Sequence, residues 1–136
     1  MNQQTEKSQS IADFTHWPVV VAQMPAFNQQ RSQQLLDALD AALSRNEPFA
    51  VVADMAAYIT HPHESPEEKK ASALWLKHNR DRFFKHCRGT VYLLQDDEAR
   101  AALLESGRKQ AKATGLPVEA AASLHEAIAL ARTFLE

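Results

Sequence analysis

Three short apolar runs constrain this chain more than any other feature: "WPVVVAQM" at residues 17–24, "FAVVADM" at 49–55 and "GTVYLL" at 89–94. Each is compact and unbroken by charge in its middle, the pattern of a strand buried on both faces. Pro18 sits at the start of the first run, where a strand residue need not donate to the ladder. Between the runs the period changes. Leu35, Leu36, Leu39, Ala42 and Leu43 recur at intervals of three and four, so residues 28–45 read as an amphipathic helix. Asn28 is its expected N-cap, and Asn46 and Pro48 are its stop. Residues 65–88 read as a second helix. Asp96 or Asp97 caps a third that ends near Thr114, with Gly115 at its C′ position. "LPVEAA" at 116–121 reads as a short fourth strand. Ser123 then opens the last helix with Glu126 as capping-box partner, and Leu124, Ile128, Ala131 and Leu135 line its expected core face.

The order is β-α-β-α-β-α-β-α. It predicts one α/β domain: a mostly parallel sheet of four to five strands, helices on its faces and right-handed crossovers. A chain of 136 residues is the usual size of one domain and can bury a core without cross-links. Cys87 is the sole cysteine, so no internal disulfide forms. Residues 1–12 read as a flexible tail and 13–136 as the domain. The opening "MNQQTEKSQS" has no apolar stretch of a signal peptide, and no run approaches the ~18 apolar residues of a membrane span. A cytoplasmic protein with no membrane span is the expectation.

The residues of "WPVVVAQMP", "ALSRNEPFAVVADM", "ALWLKHNRDRFFKHCRGTVYLL" and "SLHEAIALARTFL" together resemble the STAS and SpoIIAA-like superfamily, and most closely its small bacterial STAS/SEC14-like domains. The resemblance spans residues 15–135 and rests on packing and capping patterns. It implies a SpoIIAA-like fold and a regulatory role. Anti-sigma-factor antagonists of this class carry an Asp-Ser-Ser-Gly-like segment after the second strand, with a serine that a partner kinase phosphorylates. Here Asp54 matches the strand aspartate, but "THPHESPEE" replaces the segment, with no Asp-Ser pair and no glycine.

In a parallel sheet, ligands gather beyond the carboxyl ends of the strands. Gly89, Gly107 and Gly115 are the three glycines, and none falls in those loops, which argues against a nucleotide cradle; no cofactor is expected. The stretch "ITHPHESPEEKK" at 59–70 draws most scrutiny. His61 and His63 stand two apart and Glu64 adds an oxygen, but two histidines do not complete a metal site, and none is expected. Ser65-Pro66-Glu67-Glu68 reads as N-cap, N1, N2 and N3 of the second helix, a capping box that accounts for every residue in it. Asp54, Tyr58, Thr60, His61, His63 and Ser65 make up the candidate ligand or switch loop. Cys87, near a helix end ahead of a strand, is poorly placed to become a thiolate.

Charge is uneven. Lys69, Lys70, Lys77, Arg80, Arg82, Lys85 and Arg88 face only Asp81 over residues 69–88, a local +6. The total of −2 minus this +6 leaves the remainder at −8. Ala73, Leu76, Phe83, Phe84 and Cys87 are the expected core stripe of that helix, and Lys70, Lys77, Arg80, Arg82 and Arg88 its candidate partner-binding face. An acidic protein partner fits; nucleic acid does not, because the chain as a whole is acidic. A homodimer is also compatible. The leading expectation is therefore a non-catalytic regulatory or interaction module using the basic helix and the loop 56–65. Its alternatives are a binding domain for a small anionic or lipid-like ligand at the carboxyl edge of the sheet, and an enzyme using Asp54 with His61 or His63.

Overall fold

Each valine-rich run forms a strand inside a five-stranded sheet. The structure is a computed structural model and describes residues 11–26, 28, 30–60 and 64–136. The strands are β1 (Ala12–Asp13), β2 (Val19–Gln23), β3 (Phe49–Asp54), β4 (Cys87–Leu93) and β5 (Val118–Ala121). The helices are α1 (Arg31–Leu43), α2 (Pro66–His86), α3 (Asp97–Thr114) and α4 (Leu124–Thr133), with one 3₁₀ turn at Tyr58–Thr60. Spatial order follows chain order: β2 to β5 are parallel, and β1 runs antiparallel to β2 at the edge. The α/β class and mostly parallel sheet are as the alternation predicts. The domain starts earlier than residue 13, because β1 pairs with β2 and the Gln23 amide donates to the Ile11 carbonyl at 3.0 Å. A two-residue strand has no period of its own to read, so it merged with the tail. The rest of that tail lies outside the described residues.

Alternation along the strands sorts the two faces. Val19, Val21, Ala50, Val52 and Val91 pack with Ala127 and Ala131 of α4, both fully buried. These two alanines are one helical turn apart and let α4 approach the sheet closely. Leu124, expected on this face, is 42% exposed; Ala127 takes the buried position instead. Val20, Ala22, Val51 and Ala53 face the other way, toward α1, α2 and α3. One-sided placement of three successive crossover helices is what right-handed connections to a sheet built in chain order require.

The caps mostly follow the sequence. Asp96 accepts the Ala99 amide at 2.7 Å, and Gly115 ends α3 with φ of 77°. Ser123 accepts the Glu126 amide at 3.2 Å, but the Glu126 carboxylate takes the Ala122 amide, so this box is not reciprocal. Helix α1 starts at Arg31 with no side-chain cap. Asn28 instead closes a turn ahead of it, its Oδ1 accepting the Gln30 amide at 2.7 Å. Helix α2 stops at His86, and Cys87 and Arg88 already belong to β4.

Candidate functional site: a cavity beneath helix α2

Helix α2 leans on α1 instead of lying flat on the sheet. Of its 21 residues only Glu68 and His86 are buried. Besides apolar packing, polar contacts among the described residues tie it to α1. The Trp75 indole nitrogen donates to Asp40 at 2.8 Å. Arg31 and Glu68 form a buried two-pronged ion pair, Nε to Oε2 at 2.8 Å and Nη2 to Oε1 at 3.0 Å. The Arg31 guanidinium also lies 4.3 Å from the centre of the Tyr58 ring. The hydrogen bond from Arg31 holds the Glu68 carboxyl below the usual carboxylate range, and the same contact raises the guanidinium pKa further.

Glu68 serves the helix start as well. Ser65 Oγ accepts the Glu68 amide at 3.1 Å, and Glu68 Oε1 accepts the Ser65 amide at 2.9 Å, the reciprocal box read from the sequence. One carboxylate thus caps α2 and pins it to α1. Sequence spacing disclosed the first role and not the second, because Arg31 lies 37 residues away.

With α2 drawn toward α1, space opens between α2, α3 and the sheet. A cavity of about 650 Å³ occupies it. Its floor is low where Ala22 of β2 and Ala53 of β3 stand side by side as register partners. Met24 and Met55 close the carboxyl end, and Leu35 and Leu39 of α1 form one wall. Phe83 and Cys87 close the opposite end, and Leu103 and Gly107 of α3 form the facing wall. Gly107 lets α3 approach: a Cβ there would stand 2.6 Å from the Tyr92 ring. The charged and amide groups sit at the rim. Glu64 and Lys69 edge the α2 side, Ser106 and Gln110 the α3 side, and all four are exposed.

Two hydroxyls enter the floor from β4. Thr90 and Tyr92 are two apart and so share the cavity face; Thr90 stands opposite Val51 and Tyr92 opposite Ala53. Neither side-chain hydroxyl has a hydrogen-bond partner among the described residues. Burial pushes the Tyr92 phenol up, so it is a neutral donor at physiological pH. Burial likewise pushes the Cys87 thiol up to about 11. Desolvation disfavours its thiolate, and nearby Arg88 offsets that only in part.

The residues singled out by sequence distribute unevenly. Tyr58 lines the cavity. Asp54 turns the chain after β3, its Oδ1 accepting the Ala56 amide at 3.1 Å. Thr60 is exposed and donates to the Ala57 carbonyl at 2.7 Å. Ser65 is the helix cap. His61 and His63 lie outside the described residues, and among the described residues no cluster of three or more metal-ligating side chains occurs.

The basic residues are spread over α2 and the start of β4. Lys70 and Lys77 are exposed on α2, Arg80 stacks 5.1 Å over Phe84, and Arg82 donates to Asn79 at 3.3 Å. Arg88 sits beyond the helix on β4. None of the five takes part in an ion pair among the described residues. The inner stripe of α2 also differs from expectation. Ala73 is exposed, whereas Trp75 is half-buried and packs edge-on to Phe83 at 5.9 Å. The tilt toward α1 rotates the contact stripe away from Ala73 and onto Glu68, Trp75 and Phe83.

Ala22, Met24, Ala53 and Met55 carry the cavity, and the sequence does hold their signal. "VVVAQM" and "VVADM" both end in Val-Ala-X-Met, so the same small and large residues repeat on neighbouring strands. Among the described residues no helix is long and apolar enough to cross a membrane. Comparison with protein-family models, with curated proteins and with solved structures returns no match.

Proposed function

We propose that this protein is a binding module, and not an enzyme, for a small and mainly apolar molecule held beneath α2. The single observation that carries this reading is the 650 Å³ cavity with its aliphatic, methionine and aromatic lining. Sites for small molecules are concave, mostly apolar and of this size, with few polar groups to set orientation. Methionines such as Met24 and Met55 adapt to irregular ligands. The site extends the ligand reading of the sequence: it begins at the carboxyl edge and runs down the sheet to Cys87.

A thermal-shift screen of apolar metabolites tests the reading. A ligand at a hundred times its dissociation constant adds about 2.7 kcal/mol of stability. Ala53→Leu places a larger side chain on the cavity floor, so it is expected to abolish the shift while the protein stays folded. Equal shifts in the variant and the parent would sink the cavity as the site.

A second reading keeps the outer side of α2 as a docking surface for an acidic protein. It is favoured by Lys70, Lys77 and Arg80, which form no ion pair among the described residues, and by Leu74 on the same helix, which is 53% exposed. Reversing Lys77, Arg80 and Arg82 to glutamate would then abolish capture of the partner. The sheet built in chain order, with alternating helices, supports our assignment of the fold as SpoIIAA-like.

A further inference from the structure

We infer that the cavity selects a neutral amphiphile, an apolar chain or ring carrying a hydroxyl, carbonyl or amide that Tyr92 and Thr90 hydrogen-bond on the β4 side of the floor. This rests on the cavity being the binding site. Among the described residues the body of the cavity carries no charged side chain; Glu64 and Lys69 are confined to its exposed rim. An anionic head group drawn onto the floor would lose its hydration without a cation to replace it, a costly transfer. A pure hydrocarbon would cover the two hydroxyls of β4 and leave both without partners, which also costs binding energy. A neutral donor or acceptor meets both requirements.

The geometry favours Tyr92 as the principal contact. Its ring packs against the backbone of α3 at Gly107, where a Cβ would approach the ring edge to 2.6 Å and the hydroxyl to 3.2 Å. The ring is therefore held in place, and its hydroxyl has no hydrogen-bond partner among the described residues. Thr90 offers a second hydroxyl on the same side of the strand. The burial that raises the phenol pKa keeps it protonated as a donor. A carbonyl or hydroxyl oxygen is the matching acceptor. The rest of the ligand contacts Ala22, Ala53, Met24, Met55 and Leu39, which require only bulk and shape.

Matched ten-carbon probes separate the possibilities. Decan-1-ol, decan-2-one, decanoate and 1-decene are titrated into the full chain by calorimetry at pH 7.5. The alcohol and ketone are expected to bind more tightly than the alkene and the carboxylate. Tyr92→Phe is expected to weaken alcohol and ketone about tenfold, the worth of one hydrogen bond, and to leave the alkene unchanged. Thr90→Val serves as a second variant, with a smaller loss of the same selectivity, should the first unfold. Tighter binding of decanoate, lost on Lys69→Ala, would overturn the neutral assignment in favour of a head group at the rim. Equal affinities across the four probes, or selectivity untouched by both variants, would also overturn it. Ala53→Leu distinguishes the levels. If it blocks all binding while selectivity fails, only this inference falls; if it changes nothing, or if no probe binds, the cavity reading falls and takes the inference with it.

Discussion

Replacing Glu68 with glutamine separates two functions that one carboxylate performs. The amide keeps the size of the side chain and an oxygen to accept the Ser65 amide, so the capping box survives. What disappears is the charge facing Arg31. The two side chains are 9% and 2% exposed, so water cannot take over the guanidinium. Removing one partner of a buried pair costs ~3–5 kcal/mol, because the other charge loses its two-pronged counter-ion. The Tyr58 ring, 4.3 Å from the guanidinium, offsets ~1 kcal/mol of that by its electron-rich face. The expected loss is therefore ~3 kcal/mol, a large share of the ~5–15 kcal/mol that holds a domain folded. In a chain of this length the melting temperature falls by roughly 10 °C.

Urea unfolding at pH 7 measures the loss, and the double variant Arg31→Met/Glu68→Gln provides the control. Without either charge most of the deficit should return, since an apolar replacement of a buried pair is often neutral. The pH dependence adds a second readout. Contact with Arg31 depresses the folded-state pKa of Glu68, so its stabilising effect is fully present above the unfolded value of about 4.3. It is lost as pH falls through the lower folded-state value. Parent and Glu68→Gln curves should therefore converge as the solution is acidified below about pH 4. A loss under ~1 kcal/mol at pH 7, or a double variant no more stable than the single, would refute the buried-pair reasoning.

Other substitutions probe independent parts of the frame. Ser65→Ala removes the acceptor for the Glu68 amide and should cost ~1 kcal/mol in equilibrium unfolding; no change would mean that Pro66 and Glu67 suffice to start α2. Gly89→Ala should cost ~3 kcal/mol or more in a thermal melt, because φ is 152° and a Cβ would stand 2.7 Å from Phe134 and 2.9 Å from the Pro117 carbonyl. A near-neutral result would show that β4 can shift there. Cys87, 1% exposed with its thiol pushed up to about 11, should react with an aromatic disulfide at pH 8 only as fast as the protein opens, and immediately in denaturant. Rapid reaction of the folded protein would contradict this burial.

The parts of the molecule legible in its sequence are those set by local rules. Val19 to Val21 and Phe49 to Ala53 read as buried strands because both faces of each strand are covered, one by α4 and the other by helices α1 to α3. Ser65, Asp96, Gly115 and Ser123 announced helix ends because a cap acts over three or four residues. Failures occurred where a distant element decides. Leu124 fits the period of α4, yet it lies at the first turn, beyond the reach of the sheet. Ala73 fits the period of α2, but the tilt imposed by Arg31 and Trp75 turns it outward.

The same reasoning separates the chemistry-bearing residues of the 59–70 loop from the proposed binding cavity. Serine, histidine and glutamate in the 59–70 loop attract notice because their side chains react, yet Ser65 and Glu68 are occupied in starting and anchoring a helix. A binding cavity instead depends on where bulk is missing. Ala22 and Ala53 become a floor only because β2 and β3 pair in the register that sets them side by side. They line a cavity where α2 packs on α1, held there by the Arg31–Glu68 pair among other contacts. Neither condition is local, so no window of sequence contains the proposed site. The repeat of Val-Ala-X-Met at the ends of two strands comes nearest, and it gains meaning once the strands are known to be neighbours. Arg31 and Glu68 therefore belong to the binding reading although neither lines the cavity: loosening α2 through Glu68→Gln should weaken probe binding as well as stability, whereas Ser65→Ala, which leaves the pair intact, should affect stability alone.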